Sequence, residues 1–199
     1  MMKIYGLVGY PVKHSLSPRM HNAAFAAAGI DAEYRLFEVP PDDLEDFIMH
    51  RVFEENIAGF NVTVPHKVRA WRIIDAAWGS SEYARRIEAV NTVKVDGAGL
   101  TATNTDVSGF ARSLAEDTGF VIDPGKTALV IGCGGAGRAV ATALALERGG
   151  VSRLYLADVR PEAAIELAGK FSQAQPLSMA DYGNIVESCD LLVNASSAG

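Results

Sequence analysis

The chain has 199 residues, 49% hydrophobic and 21% charged, with a formal net charge of −6. That balance suits a globular protein with a sizeable core, in one large domain or two small ones, and offers no sequence-wide positive field for nucleic acid or anionic lipid. Two cysteines, Cys133 and Cys189, lack metal-ligand spacing, and no run approaches about 18 apolar residues, so the composition points to the cytoplasm rather than to a disulfide scaffold or a membrane span.

Along the first 104 residues strand-like and helix-like segments alternate. Residues 4–8 form a short apolar run ending at Gly9. Ser17-Pro18 reads as an N-cap followed by proline at the first helical position, and the helix runs to Gly29. Residues 34–39 alternate as a half-buried strand does, Pro41-Asp42-Asp43 opens another helix, and residues 59–64 make a third strand closed by Pro65. A helix is expected over 67–77, then two strands over 89–95 and 100–103 joined by the turn at 96–99. A helix over 107–116 is followed by the breakers Thr118-Gly119 and Asp123-Pro124-Gly125. Strands are then expected over 127–131, 154–157 and 190–194, with helices over 138–148 and 161–171. Strands alternating with helices imply a mostly parallel sheet covered on both faces.

Between the strand at 127–131 and the next helix lies Gly132-Cys133-Gly134-Gly135-Ala136-Gly137, which satisfies G-x-G-x-x-G. Its context gives it weight, because Asp158 ends the following strand, as in a dinucleotide-binding βαβ unit. Gly132 permits the tight turn, Gly134 lets backbone approach a pyrophosphate, and Gly137 allows close helix–strand packing. Cys133 has no base beside it and reads as a small residue where backbone makes the contact. Asp158 favours NAD, since its carboxylate can accept from a free ribose hydroxyl and would repel a 2′-phosphate. Arg160, two residues on, favours NADP if it reaches that phosphate.

Four segments place small polar groups where apolar filling is expected: Ser15-Leu16-Ser17-Pro18, Asn61 through Lys67, Ala89-Val90-Asn91-Thr92, and Asn104-Thr105-Asp106. Three lie at or beyond strand ends, where open α/β sheets bind ligands. Hydroxyls, amides, one lysine and one aspartate suit a small polyhydroxylated acid. His14, His21 and His66 lie nearby, but their spacing gives no metal site. Taken singly, Lys67 reads as a solvated lysine, Asp106 as an N-cap and Ser17 as another; as an ordered set they read as a site.

These segments resemble the shikimate dehydrogenase family, including its quinate-acting relatives. The resembling runs are Ser15 to Asn22, Asn61 to Lys67 (N-V-T-x-P-x-K), Val90 to Thr92, Asn104 to Phe110, Gly132 to Ala136, and residues 190–199. The resemblance implies a substrate-binding domain over 1–104 and an NAD(P)-binding Rossmann domain over 105–199, of which only the first half is present. It implies hydride transfer between NAD(P)H and 3-dehydroshikimate in aromatic amino-acid biosynthesis, with Lys67 and Asp106 as the proton-transfer pair. Ser15 and Ser17 would meet the substrate carboxylate, and Thr63, Asn91, Lys67 and Asp106 the ring hydroxyls. Gly132, Cys133, Gly134, Gly135, Ala136, Asp158 and Arg160 would meet NAD or NADP. Asp158-Val159-Arg160 departs from the N-R-T run common in NADP-dependent members. A quinate or dual-specificity dehydrogenase and a non-catalytic shikimate- or nucleotide-binding module remain alternatives. The expectation at the carboxyl end is a piece of a longer protein, or one stabilised as a homodimer.

Overall fold

A computed structural model describes residues 2–97 and 99–196. Ala98, inside the expected 96–99 turn, and the last three residues of the 190–199 run lie outside the described residues. The chain divides into two units, one ending at Asn104 and the other starting at Thr105.

In the first unit, strands with buried residues on both faces form β1 (Lys3–Gly9), β2 (Ala32–Glu38) and β3 (Ile57–Val62), and α1 (Ser17–Ala28) connects β1 to β2. Strands β4 (Thr92–Asp96) and β5 (Gly99–Thr103) complete a sheet of order β2-β1-β3-β4-β5. The three leading strands are parallel, while β4 runs antiparallel to β3 and to β5. The sheet is therefore mixed. So short a connection between β4 and β5 permits only an antiparallel pair.

One face of this sheet packs on a helical layer. The segment opened by Pro41 is a 3-10 turn (Pro41–Asp43), α2 (Leu44–Asp46), a π-turn (Phe47–Arg51) and α3 (Val52–Glu54). Leu44, Phe47, Ile48 and Val52 are all fully buried, spaced as one apolar helical stripe facing the sheet. The Phe47 ring meets Phe37 at 5.3 Å and Phe60 edge-on at 5.8 Å. Helix α4 (Lys67–Trp78) contributes Ala70 and Ile74 to the same core, and α5 (Glu82–Ile87), capped by the Ser81 hydroxyl on the Ala84 N–H, returns the chain to β4.

The second unit opens with α6 (Asp106–Thr118). It builds a parallel sheet of order β8-β7-β6-β9 from β6 (Thr127–Ile131), β7 (Arg153–Ala157), β8 (Ala174–Leu177) and β9 (Leu191–Asn194). Helices α7 (Gly135–Leu146), α8 (Pro161–Ala168) and α9 (Tyr182–Val186) connect the strands. Strands β6 and β7 are the buried centre, with Ala128, Leu129, Val130, Leu154 and Leu156 at 0% exposure, while β8 and β9 are the edges. Helix α7 starts three residues earlier than its apolar pattern suggests, because Gly135-Ala136-Gly137 already forms its first turn. It ends at Leu146, before a 3-10 turn with Arg148 at φ 50°. Buried Arg138 ties α7 to α8 by an ion pair with Glu166 at 2.8 Å.

Close approach fixes one residue of α7. A Cβ on Gly137 would collide with the Gly132 carbonyl oxygen, so only glycine lets the helix leave β6 at this distance. Gly137→Ala is accordingly expected to cost about 1–3 kcal/mol through a backbone shift. Urea unfolding followed by second-unit probes should show the loss; an unchanged midpoint would contradict the packing argument.

Candidate functional site

The first-unit residues singled out by sequence gather beyond the carboxyl ends of β1 and β3 and before β4. The loop after β1 carries Ser15, whose hydroxyl donates to the Ser17 hydroxyl at 3.1 Å and accepts the Ser17 N–H at 3.2 Å. Ser17 is therefore not the N-cap expected of it. Leu16 occupies that position without a side-chain cap, and Ser17 is the first helical residue. Both serines are half-buried, their hydroxyls paired to each other, with the Ser15 oxygen also taking the first N–H of α1.

Thr63 follows β3 and is held by its N–H to the Val8 carbonyl at 2.9 Å, while its own carbonyl accepts the His66 N–H at 2.9 Å. The Tyr10 N–H reaches the Val64 carbonyl at 3.1 Å. The third segment is drawn in the same way. Val62 N–H donates to the Asn91 carbonyl at 2.9 Å, Val90 N–H to the Lys67 carbonyl at 3.0 Å, and Asn91 N–H to the Thr103 carbonyl at 3.1 Å. Buried Asn104 adds a side-chain bond to the Ala89 carbonyl at 3.1 Å. Thr63, Lys67 and Asn91 thus sit on two loops stitched by main-chain bonds, which cannot shift independently.

Lys67 opens α4 and Asp106 opens α6, each as the first helical residue rather than as a cap. The two differ in cost. An aspartate in a first turn is favoured by the helix dipole, whereas a lysine there forgoes about 0.3–1 kcal/mol. A lysine at that position is a poor choice for stability. Lys67 belongs to the first unit and Asp106 to the second. Beside Lys67, His66 is 1% exposed and its Nε2 lies 2.7 Å from the Val39 carbonyl, an acceptor only, so Nε2 carries the proton. Burial, helped by the Arg69 charge, pushes its pKa below the ordinary value although the Val39 bond acts the other way.

In the second unit Gly132 has φ 98°, a left-handed conformation that turns the chain from β6 towards α7. At Gly134, the N-cap of α7, an added Cβ would meet nothing within 4 Å, so the loop is open where a phosphate would approach. The N–H groups of the first α7 turn and the positive end of its dipole face that opening. The residues present fit a dinucleotide's phosphates. Cys133 is buried, and its thiol is pushed up to about 12 by burial first and then by the Asp158 charge, which leaves it inert as a nucleophile.

Asp158 is more occupied than its sequence position suggests. It is 8% exposed; Oδ2 accepts the Cys133 N–H at 2.7 Å, and Oδ1 accepts the Arg160 N–H at 2.9 Å and approaches Arg160 Nε at 3.4 Å. Burial works to raise its pKa, but the two backbone N–H bonds and the Arg160 charge outweigh it and hold the carboxyl below the usual range. The carboxylate therefore latches the glycine loop to the turn after β7 and also anchors Arg160.

Sequence reasoning assigned no role to Tyr34, Asn61 and Thr92, which the structure links in one chain of hydrogen bonds leading to Asn91. Asn61 opens the N-V-T-x-P-x-K run and Thr92 closes the Val90 to Thr92 run, but the cross-strand partners are visible only once register is known. No group of three or more His, Cys, Asp or Glu residues able to hold a metal occurs among the described residues, and no helix among them is long and apolar enough to cross a membrane.

Two α/β units, one of them with a glycine loop, helix N-terminus and acidic residue in βαβ order, define a protein of the Rossmann dinucleotide-binding class. Comparison with known proteins narrows the class. The shikimate dehydrogenase substrate binding domain matches residues 7–93. The shikimate dehydrogenase (NADP(+)) of Geobacter metallireducens is 42% identical over 99% of this chain and 69% of its own length. Among solved structures, shikimate 5-dehydrogenase from Listeria monocytogenes in complex with shikimate and NAD superposes with a TM-score of 0.82 at 31% identity, covering 100% of this chain and 70% of that one. The Thermus thermophilus enzyme in complex with NADP(H) and shikimate gives 0.79 at 36%, covering 98% and 69%. The chain belongs to the shikimate dehydrogenase family, and it spans about two thirds of the length of these relatives.

The buried His66 gives the site a pH signature. Its native pKa lies below the unfolded value of about 6.5, so the neutral form is favoured by folding. Its contribution is complete above about 6.5 and is lost as pH falls through the native value. Stability should drop between pH 7.5 and 5, and His66→Gln should flatten that slope. Urea midpoints across the range check this; a histidine variant with the full wild-type slope would contradict it.

Proposed function

We propose that the chain interconverts shikimate and 3-dehydroshikimate with NAD(P)(H), a step of aromatic amino-acid biosynthesis, and that Lys67 and Asp106 move the proton. The observation that carries this reading is the stitched pair of loops presenting Thr63, Lys67 and Asn91 beside the paired Ser15 and Ser17 hydroxyls. Relatives named shikimate dehydrogenase, two of them solved with shikimate, support it.

In this reading Ser15 and Ser17 donate to the substrate carboxylate, and Thr63 and Asn91 hold ring hydroxyls. Oxidising a secondary alcohol removes a hydride from carbon and a proton from oxygen. The nicotinamide supplies the hydride acceptor. Neutral Lys67 takes the hydroxyl proton, and in the reverse direction its ammonium returns it to the carbonyl oxygen. Asp106 accepts a hydrogen bond from the same hydroxyl. Gly132, Gly134, Gly135 and Ala136, with the Cys133 backbone, cradle the pyrophosphate. Asp158 and Arg160 set the choice between NAD and NADP, the carboxylate by repelling a 2′-phosphate and the guanidinium by pairing with one. The two cysteines are unpaired thiols, which supports a cytoplasmic enzyme. Solution mass decides whether it works as one copy or a homodimer.

Lys67→Ala is expected to lower kcat by about 10²–10⁴-fold with little change in cofactor affinity, the loss typical of a general acid/base. Steady-state kinetics with shikimate and quinate in parallel check both the role and the substrate; kcat within twofold of wild type would end the proton-transfer assignment.

For the cofactor, Asp158→Asn should shift the ratio of kcat/KM towards NADP and Arg160→Ala towards NAD, each by roughly 1–3 kcal/mol in transition-state terms. Ratios unmoved in both variants would remove the pair from cofactor choice.

A further inference from the structure

On the face of the first sheet covered by α1, a directed chain of hydrogen bonds runs across three strands. The Tyr34 hydroxyl donates to Asn61 Oδ1 at 2.7 Å. Asn61 Nδ2 donates to Thr92 Oγ1 at 3.3 Å and to the Asn91 carbonyl at 3.3 Å. The Thr92 hydroxyl, its oxygen already accepting, donates to Asn91 Oδ1 at 2.9 Å. Tyr34 lies on β2 and Asn61 on β3, with β1 between them, so the phenol spans a gap of about 10 Å between strands.

Every link has one direction. The Asn91 backbone carbonyl, which can only accept, holds Asn61 Nδ2 on the side of Asn91 and Thr92 and turns Asn61 Oδ1 to the Tyr34 hydroxyl, which secures it there. The Thr92 proton then has one destination, and the Asn91 amide is held with its oxygen towards Thr92 and its nitrogen on the opposite branch. The head of the chain is anchored independently. Asn22 clamps the Tyr34 backbone, accepting its N–H at 2.7 Å and donating to its carbonyl at 3.0 Å, and the His21 ring stacks on the Tyr34 ring at 4.2 Å and 12°. Tyr34 is 4% exposed, and burial pushes its hydroxyl up to about 12, so it stays a donor at any working pH.

We infer that Tyr34 is a positioning residue for the substrate site, acting through Asn61 and Thr92 to set the orientation in which the Asn91 amide meets a ring hydroxyl. This rests on the proposed function for the identity of the ligand, though not for the orientation itself. It gives the His21-Asn22 pair, which touches no reacting group in the proposed mechanism, the task of fixing the first donor.

The test uses the full chain with Tyr34→Phe, Thr92→Val and Thr92→Ser. Calorimetry should show shikimate binding weakened about tenfold in the Phe and Val variants, as expected when a buried bond of this kind is lost, with cofactor affinity within twofold and Thr92→Ser near wild type. In ligand-free NMR spectra, Tyr34→Phe should move the side-chain amide resonances of Asn61 and Asn91. If the wild type binds shikimate while the Phe and Val variants bind it within twofold, or if the Asn91 amide does not move, the inference is overturned. If the wild type does not bind shikimate yet the Asn91 amide moves, the proposed function falls and the positioning role stands.

Discussion

Main-chain satisfaction where parallel strands end together is the constraint on which the rest of the first unit depends. At the carboxyl ends of β1 and β3 the regular ladder runs out, and the last strand residues and the loops after them must complete one another's main-chain bonds. Thr63 N–H reaches back to Val8, Tyr10 N–H to Val64, Val62 N–H to Asn91 and Val90 N–H to Lys67. Each bond contributes only about 0.5–1.5 kcal/mol, but leaving such a group buried and unmet costs more than its bond contributes. That asymmetry locks three loops into one arrangement, and the side chains needed by the chemistry ride on them.

The second unit solves a different problem, how to bring main-chain N–H groups to an anion. Its answer removes side chains where backbone must be exposed, at Gly134, and where helix must approach strand, at Gly137. The acidic latch at Asp158 then holds the loop without adding bulk. Because that carboxylate is committed to the Cys133 and Arg160 N–H groups, its charge is fixed in place and Arg160 is tethered to it. Under the proposed function, cofactor choice becomes a property of this pair, not of one residue.

Much of this was legible in sequence, and the failures have physical reasons. The strands at 127–131 and 154–157 were clear because buried parallel strands are continuous apolar runs. Strand β8 was missed because it contains Gln175 and Pro176, tolerable only because β8 is an edge strand with half its backbone free of the ladder. The start of α7 was placed late because Gly135 and Gly137 are poor helix formers on propensity alone, and packing overrides propensity there. Ser17 looked like a cap because hydroxyl before proline is the usual cap signature, yet its hydroxyl pairs with Ser15. The polar chain from Tyr34 to Asn91 was illegible in principle. Its members are 27 and 31 residues apart and meet only through strand register.

The central claim is that the stitched loops of the first unit form the site for shikimate. Amide chemical-shift mapping of the full chain during titration with shikimate, without cofactor, tests it most directly. The account predicts saturable shifts concentrated at the Ser15, Ser17, Thr63, Lys67 and Asn91 amides; no saturable shift, or shifts centred on the glycine loop after β6, would contradict it.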